Sequence, residues 1–89
     1  MTGESTVTVQ VRYFASVREA LGEGDVIEVP AALTVGQVRD RLIATSAAHA
    51  AALARGKALR CALNQVLCDE SALVGDAAEV AFFPPVTGG

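Results

Sequence analysis

From Val7 to Tyr13 apolar and polar residues alternate, with Val7, Val9, Val11 and Tyr13 on one side and Thr8, Gln10 and Arg12 on the other. Successive strand residues point to opposite faces, so this segment is predicted to be a half-buried β-strand. Phe14 falls by the same parity on the polar side, where an aromatic is either covered by a later segment or left for a partner. Ser16 and Glu19 have the spacing of a capping box and Gly22 suits a left-handed stop, which predicts a short helix from Ser16 to Leu21. Gly24-Asp25 then reads as a turn. Val26 to Val29 follows as a second strand with Ile27 and Val29 inward, ended by Pro30, which has no N–H for a ladder.

Period two gives way to a helical period at Thr34. Thr34 is the expected N-cap, Gln37 its answering residue, and Leu33 and Val38 a hydrophobic staple. Val35, Val38 and Leu42 share one face; Arg39 and Arg41 are expected on a solvated one. The Ala-rich stretch Ser46 to Arg55 predicts a second helix with a thin apolar face of Ala50 and Leu53, and His49 in water. Strands follow at Leu59–Leu63, with Leu59, Cys61 and Leu63 inward, and at Val66–Cys68, joined by a turn at Asn64-Gln65. After a loop at Asp69–Ser71 and a tight turn at Gly75-Asp76, the last strand runs from Glu79 to Phe83, Val80 and Phe82 inward and Phe83 outward. This order predicts an α+β domain, a small mixed sheet with the Thr34 helix across one face. Residues 1–6 are expected to be a disordered leader, 7–83 the domain, and 84–89 an extended tail.

Composition narrows the chemistry. The chain has 89 residues, 52% apolar and 19% charged, which suits one small globular domain. Seven Lys and Arg against ten Asp and Glu give a net charge of -3; the basic residues are scattered and Trp is absent, so nucleic acid is not an expected partner. No apolar run approaches the ~18 residues of a membrane span, the first six residues lack a signal-peptide core, and a cytoplasmic protein is the expectation. With two Cys and one His, neither a structural zinc site nor a His-based triad is supported, and no metal is expected. Cys61 and Cys68 are read as small core hydrophobes. The usual side-chain machinery of catalysis is nearly absent.

That absence moves attention to Pro84-Pro-Val-Thr-Gly-Gly89. Two prolines exclude helix and favour an extended chain, so six residues reach roughly 20 Å. Gly88 and Gly89 make the end as slender as a peptide can be. Such an arm, tipped by a carboxylate, suits insertion into another protein's narrow site. A frayed terminus is the bland alternative, and composition alone leaves both open.

Tyr13-Phe14-Ala15 with Arg18-Glu19 and Gly22, then Leu63-Asn64-Gln65, Gly75-Asp76, and above all Glu79-Val-Ala-Phe-Phe-Pro-Pro-Val-Thr-Gly-Gly89, resemble the small subunits of molybdopterin synthase, the MoaD family of β-grasp ubiquitin-like proteins. The C-terminal block is the specific part; the Ala-rich middle adds nothing. The resemblance implies a β-grasp fold and a sulfur carrier with no bound cofactor. A MoeB-like enzyme would use ATP to adenylate the carboxylate of Gly89, and a sulfurtransferase would supply the sulfur that displaces AMP and leaves a thiocarboxylate. Gly88 would give the flexibility and access this needs. The loaded tail would then enter a MoaE-like large subunit and donate sulfur to cyclic pyranopterin monophosphate, forming the dithiolene of molybdopterin. A heterotetramer of two small and two large subunits is implied by the same likeness. Family use of matching positions makes Phe14, Leu67 and Phe83, with Pro84, Pro85, Val86 and Thr87, the expected partner-binding residues. Strand parity supports the three apolar ones independently, Leu67 pointing outward if Val66 and Cys68 point in. The competing readings are a sulfur carrier for thiamine or tRNA thiolation, a ubiquitin-like modifier, and an interaction module with an inert tail.

Overall fold

Val9, Val11 and Tyr13, assigned to one face by alternation, are all buried, and the strand that carries them is the scaffold for the rest. The computed structural model describes residues 5–85. In chain order the elements are β1 (Thr6–Tyr13), α1 (Ala15–Leu21), β2 (Gly24–Pro30), α2 (Val35–Ile43), α3 (Ala47–Ala52), β3 (Arg60–Leu63), β4 (Val66–Cys68) and β5 (Ala78–Phe83). They form one five-stranded sheet in the order β2-β1-β5-β3-β4. β1 lies antiparallel to β2 and parallel to β5, while β3 is antiparallel to both β5 and β4. The parallel pair brings the first and last strands side by side at the centre. A parallel pair needs a long crossover, and everything between β1 and β5 supplies it. This is the expected α+β, β-grasp arrangement.

One face of the sheet is covered. Val9, Val11, Tyr13, Val29, Cys61, Val80 and Phe82 pack there with Val17 of α1, Val35, Val38 and Leu42 of α2, and Ala52 and Leu53 at the end of α3. The predicted capping box at Thr34 is present: its hydroxyl accepts from the Gln37 N–H at 3.1 Å, and the Gln37 side chain accepts from the Thr34 N–H at 2.9 Å. The Asn64-Gln65 turn is also present, both residues at positive φ, as a tight two-residue hairpin demands. Gly24 is in β2 rather than in a turn, paired with Arg12, because a Cβ there would run into the Val11 carbonyl oxygen and only glycine lets the strands approach. The sheet also starts earlier than the expected domain edge at Val7, since Thr6 pairs with Pro30 and the Ser5 carbonyl accepts from the Ala31 N–H at 3.0 Å. The first four residues of the expected leader lie outside the described range.

Three local expectations are corrected. Ser16 and Glu19 do not cap α1; its N-cap is Phe14, without a side-chain bond. Phe14 still donates to Phe82 in the parallel ladder while its carbonyl accepts from Val17 and Arg18, so the chain turns at once, through Ala15 at φ 55, and Ser16 lands inside the helix. The Ala-rich helix is shorter than expected, ending at Ala52 although Ser46 caps it as its composition suggests. Arg39 is the third correction. Its side chain is buried, not solvated. Its guanidinium donates to the carbonyls of Leu53 (2.8 Å), Ala54 (2.6 Å) and Lys57 (3.2 Å) and to Glu70 (2.7 Å). These bonds tie the segment after α3 to the buried face of α2. Glu70 is gripped from its other side by Arg55, which also reaches Asp40 (2.9 Å) and the Gly36 carbonyl (2.8 Å). Gly36 belongs to the same clamp: Glu70 packs so closely that a Cβ would meet its carboxylate at 2.9 Å. Burial raises the pKa of Glu70, but hydrogen bonds from Arg55 and Arg39 outweigh it and hold the carboxyl below its ordinary value.

Candidate functional site

β5 delivers the tail, so the site is built outward from it. Val80 and Phe82 point into the core and are fully buried; the residues between and after them, Ala81 and Phe83, therefore point to the face that the helices leave uncovered. Register extends this face sideways. Ala81 lies beside Arg12 of β1 and Ala62 of β3, and Ala62 lies beside Leu67 of β4. One step further along, Phe83 lies opposite Arg60. Phe14, one residue past the Tyr13–Phe82 pair and still in extended conformation, has the parity of Phe83 and sits next to it.

The result is an apolar surface with a low centre and tall rim. Ala62 and Ala81 are small and nearly shielded, while Phe14 is 41% and Leu67 63% exposed. Arg12 and Arg60 are exposed on either side. The structure thus brings together the three apolar residues singled out from sequence. Phe83 faces outward as predicted but is half-buried, because it stands on a central strand with neighbours on both flanks. Val66 shares the inward parity of Leu63, as assumed, yet it is 67% exposed at the end of an edge strand. Ala62, Ala81 and Arg60 went unnoticed in the sequence, although outward parity on β3 and β5 was the available signal for the two alanines, and Arg12, placed on the outer side of β1, was not linked to the site.

Beyond Phe83 the chain leaves the sheet at Pro84, half-buried, and Pro85, exposed. The two prolines line an apolar cavity of about 350 Å³ together with Val17 and Ala20 of α1 and Lys57 to Leu59. Val86 and Thr87, expected to bind a partner, and Gly88 and Gly89, expected to carry the chemistry, lie outside the described residues. Among the described residues no group of three or more His, Cys, Asp and Glu is placed to hold a metal ion, and no helix is long and apolar enough to cross a membrane.

A second polar cluster lies on the helix side. His49 is half-buried rather than in water, its Nε2 2.9 Å from Asp25 and its Nδ1 2.7 Å from the Ser46 hydroxyl. Tyr13 donates to the same Asp25 oxygen at 2.7 Å. The bond from His49 holds the Asp25 carboxyl below its ordinary value, with Tyr13 assisting against partial burial. Burial raises the pKa of the Tyr13 hydroxyl, and the Asp25 charge adds to the effect. The cluster fastens α3 to β2 on the helix side of the sheet. Arg18 pairs with Glu23 at 3.2 Å in the open.

Comparison with known proteins agrees with this geometry. Residues 11–89 match the model of the ThiS family. The molybdopterin synthase sulfur carrier subunit of Escherichia coli is 46% identical, the match covering 91% of this chain and 99% of that protein. The protein of the same name in Haemophilus influenzae is 38% identical with the same coverage. Among solved structures, the HVO 2177 protein of Haloferax volcanii superposes with a TM-score of 0.77 at 28% identity, covering 100% of this chain and 92% of that one. A chain of the complex of subunits 1 and 2 of the molybdopterin-converting factor from Helicobacter pylori superposes with a TM-score of 0.64 at 26% identity, covering 93% of this chain and all of that one.

Proposed function

Since the chain belongs to the ThiS family, we propose that it is the sulfur carrier subunit of a molybdopterin synthase. The observation that carries this reading is an uncovered apolar face of Phe14, Phe83 and Leu67 at the root of a Pro-Pro-Val-Thr-Gly-Gly tail, in a chain with nearly full-length relatives of that name. A large subunit docks on this face, in keeping with the two-subunit complex among the structural neighbours. Arg12 and Arg60 flank the contact. Large apolar residues at the centre of an interface supply most of its energy, and the shallow Ala62–Ala81 floor gives a partner's side chains room to enter.

The chemistry belongs to Gly89. An ionised carboxylate resists nucleophiles, because its charge repels them and oxide cannot leave. Attack of that carboxylate on the α-phosphate of ATP, in an adenylating enzyme, expels pyrophosphate and makes an acyl-adenylate. A sulfur donor then displaces AMP and leaves the thiocarboxylate, whose ionised sulfur is a strong nucleophile. Inside the large subunit this sulfur passes to cyclic pyranopterin monophosphate. The division of labour fits a chain so poor in His and Cys: activation and catalysis reside in the partners, and this chain supplies a rigid handle and a thin arm. Two small and two large subunits complete the assembly.

Reconstitution tests the proposal. The chain, an adenylating enzyme with ATP, a sulfur donor, the large subunit and cyclic pyranopterin monophosphate are expected to yield molybdopterin. A chain lacking Gly89, or extended by one residue after it, is expected to fold and yield none. Undiminished product from either variant overturns the tail chemistry. Product formed only when thiamine or tRNA thiolation enzymes replace the large subunit favours the sister carriers.

A further inference from the structure

Cys61 and Cys68 stand directly opposite each other across the β3–β4 hairpin. The two-residue turn makes Leu63 and Val66 a hydrogen-bonded closing pair, and alternation makes Cys61 and Cys68 another, with a Cα separation of about 5.5 Å. A disulfide spans roughly 4.4–6.8 Å between these atoms, so the Cα separation falls in its range. Both thiols are free, with the Sγ atoms 3.8 Å apart and the Cys61 thiol 3.3 Å from the Cys68 carbonyl. Closing the bond takes side-chain rotation together with a small approach of the two strands, because the Cβ atoms of a hydrogen-bonded pair stand farther apart than the roughly 3.8 Å of a disulfide.

The two thiols differ in access. Cys61 is buried in the core, and burial pushes its pKa up to about 12, with the Cys68 thiol and the nearby carboxylates Glu70 and Asp69 adding to the shift. Cys68 is half-buried, and it lines a surface cavity of about 430 Å³ with Cys61, Arg60, Leu67, Asp69 and Glu70. Of the two thiols at this cavity, Cys68 is the more exposed. This is the layout of an attacking thiol backed by a resolving one.

We propose that Cys61 and Cys68 form a dithiol site whose substrate is a low-molecular-weight disulfide, and that exchange with it produces an intramolecular cross-strand disulfide. The Cys68 thiolate attacks one sulfur of the small disulfide; the S–S bond breaks and one small thiolate leaves. Cys61 then gives up its proton and attacks the Cys68 sulfur, expelling the second small thiolate. The two cysteine protons end on the two departing thiols, and two electrons pass from the cysteines to the small disulfide. The new bond staples β3 to β4 immediately beside Leu67 and one residue from Arg60, so it fixes the hairpin that forms one edge of the docking face.

The test is a redox titration of the full chain with oxidised and reduced glutathione, quenched with N-ethylmaleimide and read by intact and peptide mass spectrometry. The expected product is a monomer lacking two hydrogens, carrying no maleimide, with Cys61 and Cys68 in one linked peptide. Cys61→Ala is expected to stop at a glutathione adduct on Cys68, and Cys68→Ala to react at least about tenfold more slowly, because only the buried thiol remains. A stable glutathione adduct on the wild-type chain, a disulfide-linked dimer, two maleimides at every glutathione ratio, or a Cys68→Ala variant that reacts as fast as wild type would each overturn the proposal.

Discussion

The two faces of the sheet are assembled from the same strands on opposite terms. On β5, Val80 and Phe82 disappear beneath the helices while Ala81 and Phe83, one residue away from each, remain on the bare side. At the end of β1, Tyr13 is buried while the next residue, Phe14, is 41% exposed. The inner face is large side chains filled to closure. The outer face is two alanines ringed by larger residues. A domain of this size gains little by leaving Phe14 and Leu67 in water, and the proposed partner contact would give them a use that folding does not. On the proposed reading, adjacent phenylalanines do different work: Phe82 holds the sheet to its helices, and Phe83 meets the partner.

Substitution separates those roles. Phe82→Ala is expected to cost about 3–5 kcal/mol in denaturant unfolding, since it leaves a cavity in the centre of the core. Arg39→Met is expected to cost about 3 kcal/mol by the same measurement, as it leaves buried carbonyls and one side of Glu70 without their donor. Phe83→Asp inverts the pattern: folding stability should shift by no more than about 1 kcal/mol, while affinity for the large subunit, read by titration calorimetry, falls by about 2 kcal/mol, or roughly 30-fold. Equal losses of stability in Phe82→Ala and Phe83→Asp would erase the distinction between the faces.

The smallest effect concerns pH. Asp25 and Glu70 are both held below their ordinary values in the folded chain, so each binds its proton more readily once unfolded. Their contribution to stability is complete above the unfolded-chain range near pH ~4 and is lost as pH falls through the lower folded values. Denaturation midpoints followed from pH 6 to 3 should fall, and Glu70→Gln should flatten that fall. An unchanged slope would show that the Arg39–Glu70–Arg55 clamp carries no pH dependence.

Much of the fold was legible because its determinants are local. The Thr34 cap needs only Gln37, the Asn64-Gln65 turn only itself, and the core face of β1 only its alternation. Arg39 was illegible for the opposite reason: its partners lie 14 to 31 residues away, and helical periodicity places it off the apolar stripe. His49 was misjudged likewise, its partner Asp25 being 24 residues off on another element. Ser16 offered a sound local cap that the parallel ladder through Phe14 overrode. At the docking face, parity exposed Phe14, Leu67 and Phe83 because large apolar residues on a polar side are conspicuous. Ala62 and Ala81 escaped because alanine is unremarkable on any face.

The most direct measurement is the intact mass of the chain after incubation with an adenylating enzyme, ATP and a sulfur donor, with the modified peptide then sequenced. A carrier shows one oxygen replaced by sulfur, located at Gly89. A terminus that keeps both oxygens, or that appears instead joined to lysines of other proteins, contradicts the account.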